Sequence, residues 1–170
     1  MAFVVEDGTG LVNANSYVSV AEAKAYWDDV AFDYSGLSDA QIQVSLVKAT
    51  RYMDTRFYYI GCIEFPETPQ ALGWPRTYAY DRDGVYQQDV PVKIKNACIE
   101  YAVIAQTEEL MPVPTQDDRN QVVERVHEKV GPIETTTKYF GSSSVFKVYP
   151  FPDSIIKDLV VLRSSRVGRA

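Results

Sequence analysis

The segment VPVKIKNACIEYAVIA, residues 90–105, constrains the fold most, because its apolar side chains cover almost every side of a helix. Ile99, Val103 and Ile104 widen an already continuous apolar face. That face consists of Ile94, Ala97, Cys98, Tyr101, Ala102 and Ala105. A helix that is hydrophobic nearly all round must be covered by other elements. The sequence therefore predicts a central helix that starts at Val90-Pro91, since proline is tolerated in a first helical turn.

Two further helices are predicted before it. A serine followed three residues later by Glu or Gln forms a capping box, and this pattern occurs at Ser19 and at Ser38. The first box predicts a helix over residues 20–30, and the second a longer helix over residues 39–57. The longer helix carries the apolar stripe Ile42, Leu46, Ala49, Met53 and Phe57. Together with the central helix, these segments predict a three-helix core.

A long non-helical stretch, residues 58–89, separates the second and third helices. Loops of this length are usually functional or packed by their own side chains. Trp74 is expected to anchor the loop on the core, Pro75 to stiffen it, and Arg76 to reach a carboxylate on this or a neighbouring subunit. The run Asp81-Arg82-Asp83-Gly84 has the composition of a surface turn. We therefore interpret Trp74, Pro75 and Arg76 as a loop anchor or a subunit interface.

The character of the chain changes after Pro112. Segments 122–130 and 133–140 predict a β-hairpin within about residues 121–140, turning at Gly131-Pro132. The first segment would also fit a helix, and residues 145–149 are a candidate third strand. Asp153 is predicted to cap a last helix on a tether. The fold class is mainly α with a small β part (α+β), with a core and hairpin over residues 1–140 and a linker with a C-terminal helix or arm over residues 141–170.

Charge and composition restrict the function. A net charge of −6 argues against a free-standing nucleic-acid binder, which needs a basic surface. Residues 1–40 hold seven acidic side chains and one lysine, whereas residues 154–170 hold four basic side chains and one aspartate. Opposite charge at the two ends suits a head-to-tail neighbour or a second protein, or else a solvated face and a tail. Two unspaced cysteines and no long apolar run indicate a reducing cytoplasm and no membrane span.

Residue patterns for catalysis or for cofactor and metal binding are missing from the sequence. His127 is the only histidine, so a two-histidine metal site cannot form within one chain, and a histidine-based triad would have to use His127. On a strand, His127 would share a solvated face with Arg125 and Lys129. The sequence predicts no catalytic, cofactor-binding or metal-binding residues, and we expect the protein not to be an enzyme. Tyr78 and Tyr80 could stack on bases, although loop packing or a protein interface is the favoured explanation.

Five segments, in order, resemble a known family. They are NSYVSVAEAKAYW, LVKATRYMDTRF, QALGWPRT, VPVKIKNACIEYA and KVGPIETTTKYF. Together they resemble the small head–tail connector proteins (adaptor or head-completion proteins) of tailed bacteriophages. Members of this group are often labelled DnaT-like single-stranded-DNA-binding proteins. The resemblance covers roughly residues 15–139.

The resemblance implies a structural virion protein. Its subunits would form a ring, typically a 12-mer, beneath the portal protein, extend the DNA channel and receive a tail-side neck or stopper protein. Double-stranded DNA would pass through without sequence-specific binding, and the protein would occupy the virion neck after assembly in the host cytoplasm. In related connectors the C-terminal segment reaches into the portal. Carried over to this chain, the portal-docking arm would comprise Ile155, Ile156, Leu159, Arg163, Arg166 and Arg169.

Two expectations follow from these assignments. A chain ending at Tyr149 should stay folded yet lose attachment to the portal, provided that the terminal helix is an extended arm; folding back onto the core is the alternative. The label shared by this group also leaves a second function open, that of a single-stranded-DNA-binding replication-type protein.

Overall fold

The computed structural model describes residues 2–64, 69–111, 123–129, 134–139 and 147–161. Its elements in chain order are α1 (Val20–Asp29), α2 (Asp39–Arg56), β1 (Cys62–Ile63), β2 (Arg76–Thr77), α3 (Val92–Thr107), β3 (Val123–Lys129), β4 (Glu134–Tyr139) and α4 (Pro150–Ile155). Helices dominate the described residues, and each pair of strands is antiparallel. The predicted class, mainly α with a small β part, is confirmed.

Both predicted capping boxes are present. The Ser19 hydroxyl accepts a hydrogen bond from the Glu22 backbone N–H at 3.2 Å, and the Glu22 carboxylate accepts one from the Ser19 N–H at 2.8 Å. Ser38 and Gln41 repeat the same exchange at the start of α2. These bonds satisfy N–H groups that a helix start otherwise leaves unpaired. Sequence alone therefore located the starts of α1 and α2 to the residue.

The core is built around α3, as its apolar composition requires. Ile94, Ala97, Tyr101 and Ala102 are inaccessible to solvent, and α3 packs against α2, α1 and α4. The facing stripe of α2 is equally buried, with Ile42, Leu46, Ala49 and Met53 at zero exposure. Burying a side chain of this size stabilises a fold by about 1.5–3 kcal/mol. The predicted three-helix core is confirmed, and α3 begins at Val92, two residues after the predicted start.

The segment between α2 and α3 is ordered by short β pairings. Strands β1 and β2 pair through Cys62 with Thr77 and Ile63 with Arg76. The chain approaches itself so closely here that a Cβ on Gly61 would lie 2.5 Å from the Thr77 carbonyl oxygen. Gly61 also has φ +72°, a conformation that glycine adopts at least cost. This glycine therefore permits the loop to fold back on itself.

The last described helix differs from the prediction. Asp153 does not cap it but lies in its first turn, and the helix ends at Ile155. Prolines at 150 and 152 fit this start, because the first turn needs no N–H donors from those positions. After Ile155 the chain turns and pairs with the segment following α2, with Ile60 donating to the Leu159 carbonyl at 3.0 Å and Val161 donating to the Tyr58 carbonyl at 2.6 Å. Residues 147–149 of the candidate third strand have no strand structure.

The chain divides into two compact units. One unit contains the helices, running to Leu110 and resuming at Val148. The other contains the hairpin of β3 and β4, whose register pairs Lys129 with Glu134 and shifts between Val123 and Arg125. The predicted hairpin is confirmed, including the choice of a strand over a helix for its first segment. The division proposed at residue 140 grouped the hairpin with the helices, whereas the terminal helix is the segment that belongs with them.

Among the residues that the structure describes, no helix is long and apolar enough to cross a membrane.

Candidate functional site

The Trp74–Arg76 segment is fixed against the helical core. Trp74 is fully buried, and its ring meets the Tyr59 ring edge-on at 5.8 Å between centroids. The peptide bond between Trp74 and Pro75 is cis. The Arg76 guanidinium donates to the carbonyl oxygens of Ile60 at 2.6 Å, Gly61 at 2.9 Å and Gly73 at 3.1 Å. All three acceptors are backbone carbonyls of the same loop, and a carboxylate of a neighbouring subunit stays a prediction for Arg76.

Asp54 connects three parts of the chain that sequence analysis did not link. Its carboxylate accepts a hydrogen bond from the Tyr17 hydroxyl at 2.5 Å and one from the Gly73 N–H at 3.0 Å. Burial raises the pKa of Asp54 above its ordinary value, and burial followed by neighbouring charge raises the pKa of Tyr17. The group joins the N-terminal segment, α2 and the loop. Asp54 therefore stabilises the packing of these three segments against one another.

A second carboxylate holds the terminal segment, residues 147–161. Asp153 accepts from Arg56 Nη2 at 2.7 Å, from the Tyr101 hydroxyl, and from the Tyr149 N–H at 3.3 Å. The rings of Tyr52, Tyr101 and Tyr149 pack around it, with centroids 5.0–5.9 Å apart. Burial is the first cause of the raised pKa of Tyr101, and the hydrogen bond to Asp153 is the second. These groups fasten α4 to α2 and α3.

The apolar part of the predicted portal-docking arm lies inside this core. Ile156 and Leu159 are fully buried, and Ile155 is half-buried. The expectation that they present an apolar stripe to a partner is corrected, because the chain after α4 pairs with residues 58–60 and turns those side chains inward. Arg163, Arg166 and Arg169 lie outside the described residues.

Three exposed tyrosines lie on one loop, residues 76–87, which we call the tyrosine loop. Tyr78 is 73% exposed, Tyr80 54% and Tyr86 40%. The Tyr80 and Tyr86 rings lie side by side, with centroids 5.3 Å apart and planes tilted by 50°. Large aromatic side chains left in solvent usually mark a binding surface. This loop is therefore the strongest candidate site on the described residues.

The tyrosine loop has a defined conformation. Gln87 donates to the Ala79 carbonyl at 2.8 Å, and Asp81 donates to the Val85 carbonyl at 3.0 Å. The Asp81 carboxylate in turn accepts from the N–H groups of Asp83 and Val85. Gly84, at φ +78°, completes the turn predicted from the sequence. A preorganised loop loses little conformational freedom on binding, which favours affinity.

A shallow cavity of about 410 Å³ opens beside Tyr80. Its walls combine the tyrosine loop with the terminal segment and with the strand-like residues after α2. The lining residues are Ile60, Tyr80, Asp81, Arg82, Lys157 and Asp158. No cluster of three or more metal-binding side chains occurs among the described residues. The cavity therefore offers an aromatic wall and charged side chains.

A family profile described as "Putative DnaT-like ssDNA binding protein" matches residues 1–170. The chain belongs to this family. The match spans the helices, the tyrosine loop, the hairpin and the terminal segment alike. Neither the curated proteins nor the solved structures contain a match.

The family carries the label that the five sequence segments led us to expect. Its description names single-stranded DNA and does not mention a head–tail connector. Tyr78 and Tyr80 were considered for base stacking from the sequence, whereas Tyr86 and Asp54 were not, and Asp153 was predicted only as a helix cap. Tyr86 could have been found from its position opposite Tyr80 across a turn. The buried hydrogen bonds of Asp54 and Asp153 had no such signal, since an isolated Asp in a helix usually faces solvent.

Proposed function

We propose that the protein binds single-stranded DNA and that the tyrosine loop is the contact surface. The observation that carries this proposal is the exposed, side-by-side pair of Tyr80 and Tyr86 rings, 5.3 Å apart. The family description supports it, because single-stranded DNA is the ligand that it names.

Stacking supplies the attraction. Every base has a π-face, so stacking on tyrosine tolerates any sequence, and each stacked base contributes about 1–3 kcal/mol. Tyr78, the most exposed of the three, extends the surface along the loop. Arg82 lies in the same turn and can meet a phosphate. With a net charge of −6, the chain depends on this local surface, so we expect affinities in the micromolar range and a marked sensitivity to salt.

Fluorescence anisotropy of a labelled oligo-dT strand tests the proposal. Wild-type protein should bind the strand at low salt, and the double variant Tyr78→Ala/Tyr80→Ala should lose binding while its circular dichroism is unchanged. The matched control is Val85→Ala, which removes exposed aliphatic surface from the same loop and should retain binding. Equal binding by the double variant and the wild type would contradict the proposal.

A second function, that of a head–tail connector, is favoured by the charge around the tyrosines. Asp81 and Asp83 flank Arg82, so the turn carries no excess of positive charge. Neutral surfaces rich in tyrosine and arginine are typical of protein interfaces. In this second proposal the loop contacts another subunit of a twelve-membered ring that docks on a portal protein and receives a tail-side protein.

Electron microscopy of purified virions, or of the protein mixed with its portal, tests the connector. A ring at the portal vertex, combined with no measurable binding of oligo-dT, would favour the connector over single-stranded-DNA binding. Absence from particles would exclude it.

A further inference from the structure

The side chains that line the cavity beside Tyr80 include two cations, Arg82 and Lys157, and two acids, Asp81 and Asp158. The two acids have partners within the chain, and the two cations have none among the residues that the structure describes. The Asp81 carboxylate accepts from Asp83 N at 3.0 Å, Val85 N at 2.9 Å and Gln87 Nε2 at 3.1 Å. These three bonds belong to the turn itself. The carboxylate is thereby held in place, and its oxygens are engaged by the turn.

The second acid, Asp158, also has a partner. Asp158 Oδ2 lies 3.5 Å from Lys93 Nζ at the start of α3. Arg82 and Lys157, by contrast, have no ion pair or hydrogen bond from their side chains to any part of the chain that the structure describes. The cavity therefore presents two cations that are free to meet an anion.

The remaining walls are the Tyr80 ring and the Ile60 side chain. An aromatic wall beside two cations matches a nucleotide, which carries a flat base next to a negative phosphate. The volume, about 410 Å³, falls in the range of about 300–1,000 Å³ that is usual for small-ligand sites. Arg82 can grip phosphate oxygens in a forked geometry, and Lys157 can add a point charge.

We propose that this cavity binds a nucleotide phosphate between Arg82 and Lys157, with the adjoining base stacked on Tyr80. The inference rests on the proposed function and deepens it by locating a phosphate subsite. It also makes the terminal segment part of the site, since Lys157 belongs to that segment. The backbone bond from Ile60 to the Leu159 carbonyl, 3.0 Å long, fixes the segment beside the tyrosine loop.

The test measures the salt dependence of oligo-dT binding. Each lost phosphate contact on a single strand lowers the slope of log K against log [salt] by about 0.7. Arg82→Gln and Lys157→Gln should each flatten the slope by that amount, whereas Tyr80→Ala should weaken binding at every salt concentration and leave the slope unchanged. The matched control is Arg51→Gln, which removes an equal charge from an exposed position on α2 and should leave the slope as in wild type.

The outcomes distinguish a failure of the phosphate subsite from a failure of single-stranded-DNA binding. Binding of oligo-dT with a wild-type slope in both the Arg82 and Lys157 variants would overturn the phosphate subsite and leave single-stranded-DNA binding intact. If the wild type fails to bind oligo-dT, the proposed function fails, and titration with thymidine 5′-monophosphate decides the subsite alone. Amide NMR shifts confined to residues around Tyr80, Arg82 and Lys157 would then support a site for a free nucleotide. An unchanged spectrum would overturn it.

Discussion

Arg56 Nη2 lies 2.7 Å from Asp153 Oδ2, and this ion pair joins the last turn of α2 to the first turn of α4. Only 13% of the Arg56 side chain and 19% of the Asp153 side chain remain accessible. The pair is therefore shielded from water, unlike most ion pairs on protein surfaces. It holds the terminal segment in place, and that segment contributes Lys157 to the candidate site.

Replacing Asp153 with Asn should destabilise the protein by about 2 kcal/mol, because the mostly buried Arg56 guanidinium loses the charge of the Asp153 carboxylate and Tyr101 loses a charged acceptor. Urea unfolding measures the change. The matched control is Glu109→Gln, which breaks the exposed pair with Lys48 and should cost less than about 0.5 kcal/mol. Equal losses in the two variants would show that the Asp153 pair has no special role.

Removing a buried side chain of the terminal segment should also destabilise the fold. Leu159→Ala removes a fully buried side chain and should cost about 2–5 kcal/mol. Val161→Ala is the control two residues away; its side chain is 52% exposed, and the change in the free energy of unfolding should fall within about 0.5 kcal/mol.

A chain ending at Tyr149, which was expected from the sequence to stay folded, should be less stable than the full chain, because it lacks the buried side chains of the terminal segment. A melting temperature unchanged by that truncation would contradict the structure.

Gly61→Ala should cost about 1–3 kcal/mol, because it combines a left-handed backbone angle with a Cβ contact of 2.5 Å to backbone oxygen. Gly36→Ala is the control: an added Cβ there meets nothing within 4 Å. It should be neutral or slightly stabilising. Thermal unfolding of both variants checks the difference. A Gly61 variant as stable as the Gly36 variant would exclude the close approach of β1 and β2.

Asp54 predicts a specific pH dependence. Burial raises its pKa in the folded protein, so the folded state holds this proton more tightly than the unfolded chain does. Its contribution to the free energy of unfolding is therefore greatest at acid pH, and it falls as pH rises from the unfolded-state pKa through the folded-state pKa. Asp54→Asn cannot titrate. The stability of wild type relative to this variant should decrease as the pH rises above the ordinary aspartate pKa of about 4, as measured by urea unfolding. A difference that does not change with pH would contradict the shift.

Local signals in the sequence predicted much of the fold. The capping boxes at Ser19 and Ser38 and the apolar face of α3 depend on neighbouring residues alone, so they could be recognised without tertiary information. The packing of the terminal segment could not be predicted in this way. Ile156 and Leu159 form an apolar stripe whether they contact a partner or their own core, and the choice depends on Asp153 meeting Arg56, 97 residues away. The hydrogen bonds of Asp54 could not be predicted for the same reason, since its partners Tyr17 and Gly73 lie 37 and 19 residues from it.

The candidate site was predictable only in part. Tyr78 and Tyr80 stood out as aromatic residues in a long loop, but their exposure could not be known, because a tyrosine in a loop can equally pack inward, as Tyr59 does at 6% exposure. The cavity could not be predicted from the sequence, since Arg82 and Lys157 are 75 positions apart and line the same cavity only because of the fold.

The most direct test of single-stranded-DNA binding by the tyrosine loop is the dissociation constant of an oligo-dT strand for the Tyr80→Ala protein, measured by anisotropy at fixed low salt. Loss of one stacked base, about 1–3 kcal/mol, corresponds to binding roughly 5- to 150-fold weaker than wild type. The account predicts a loss in that range, with Val85→Ala close to wild type. A Tyr80→Ala protein that binds as tightly as wild type, or a wild type that does not bind the strand, would contradict it.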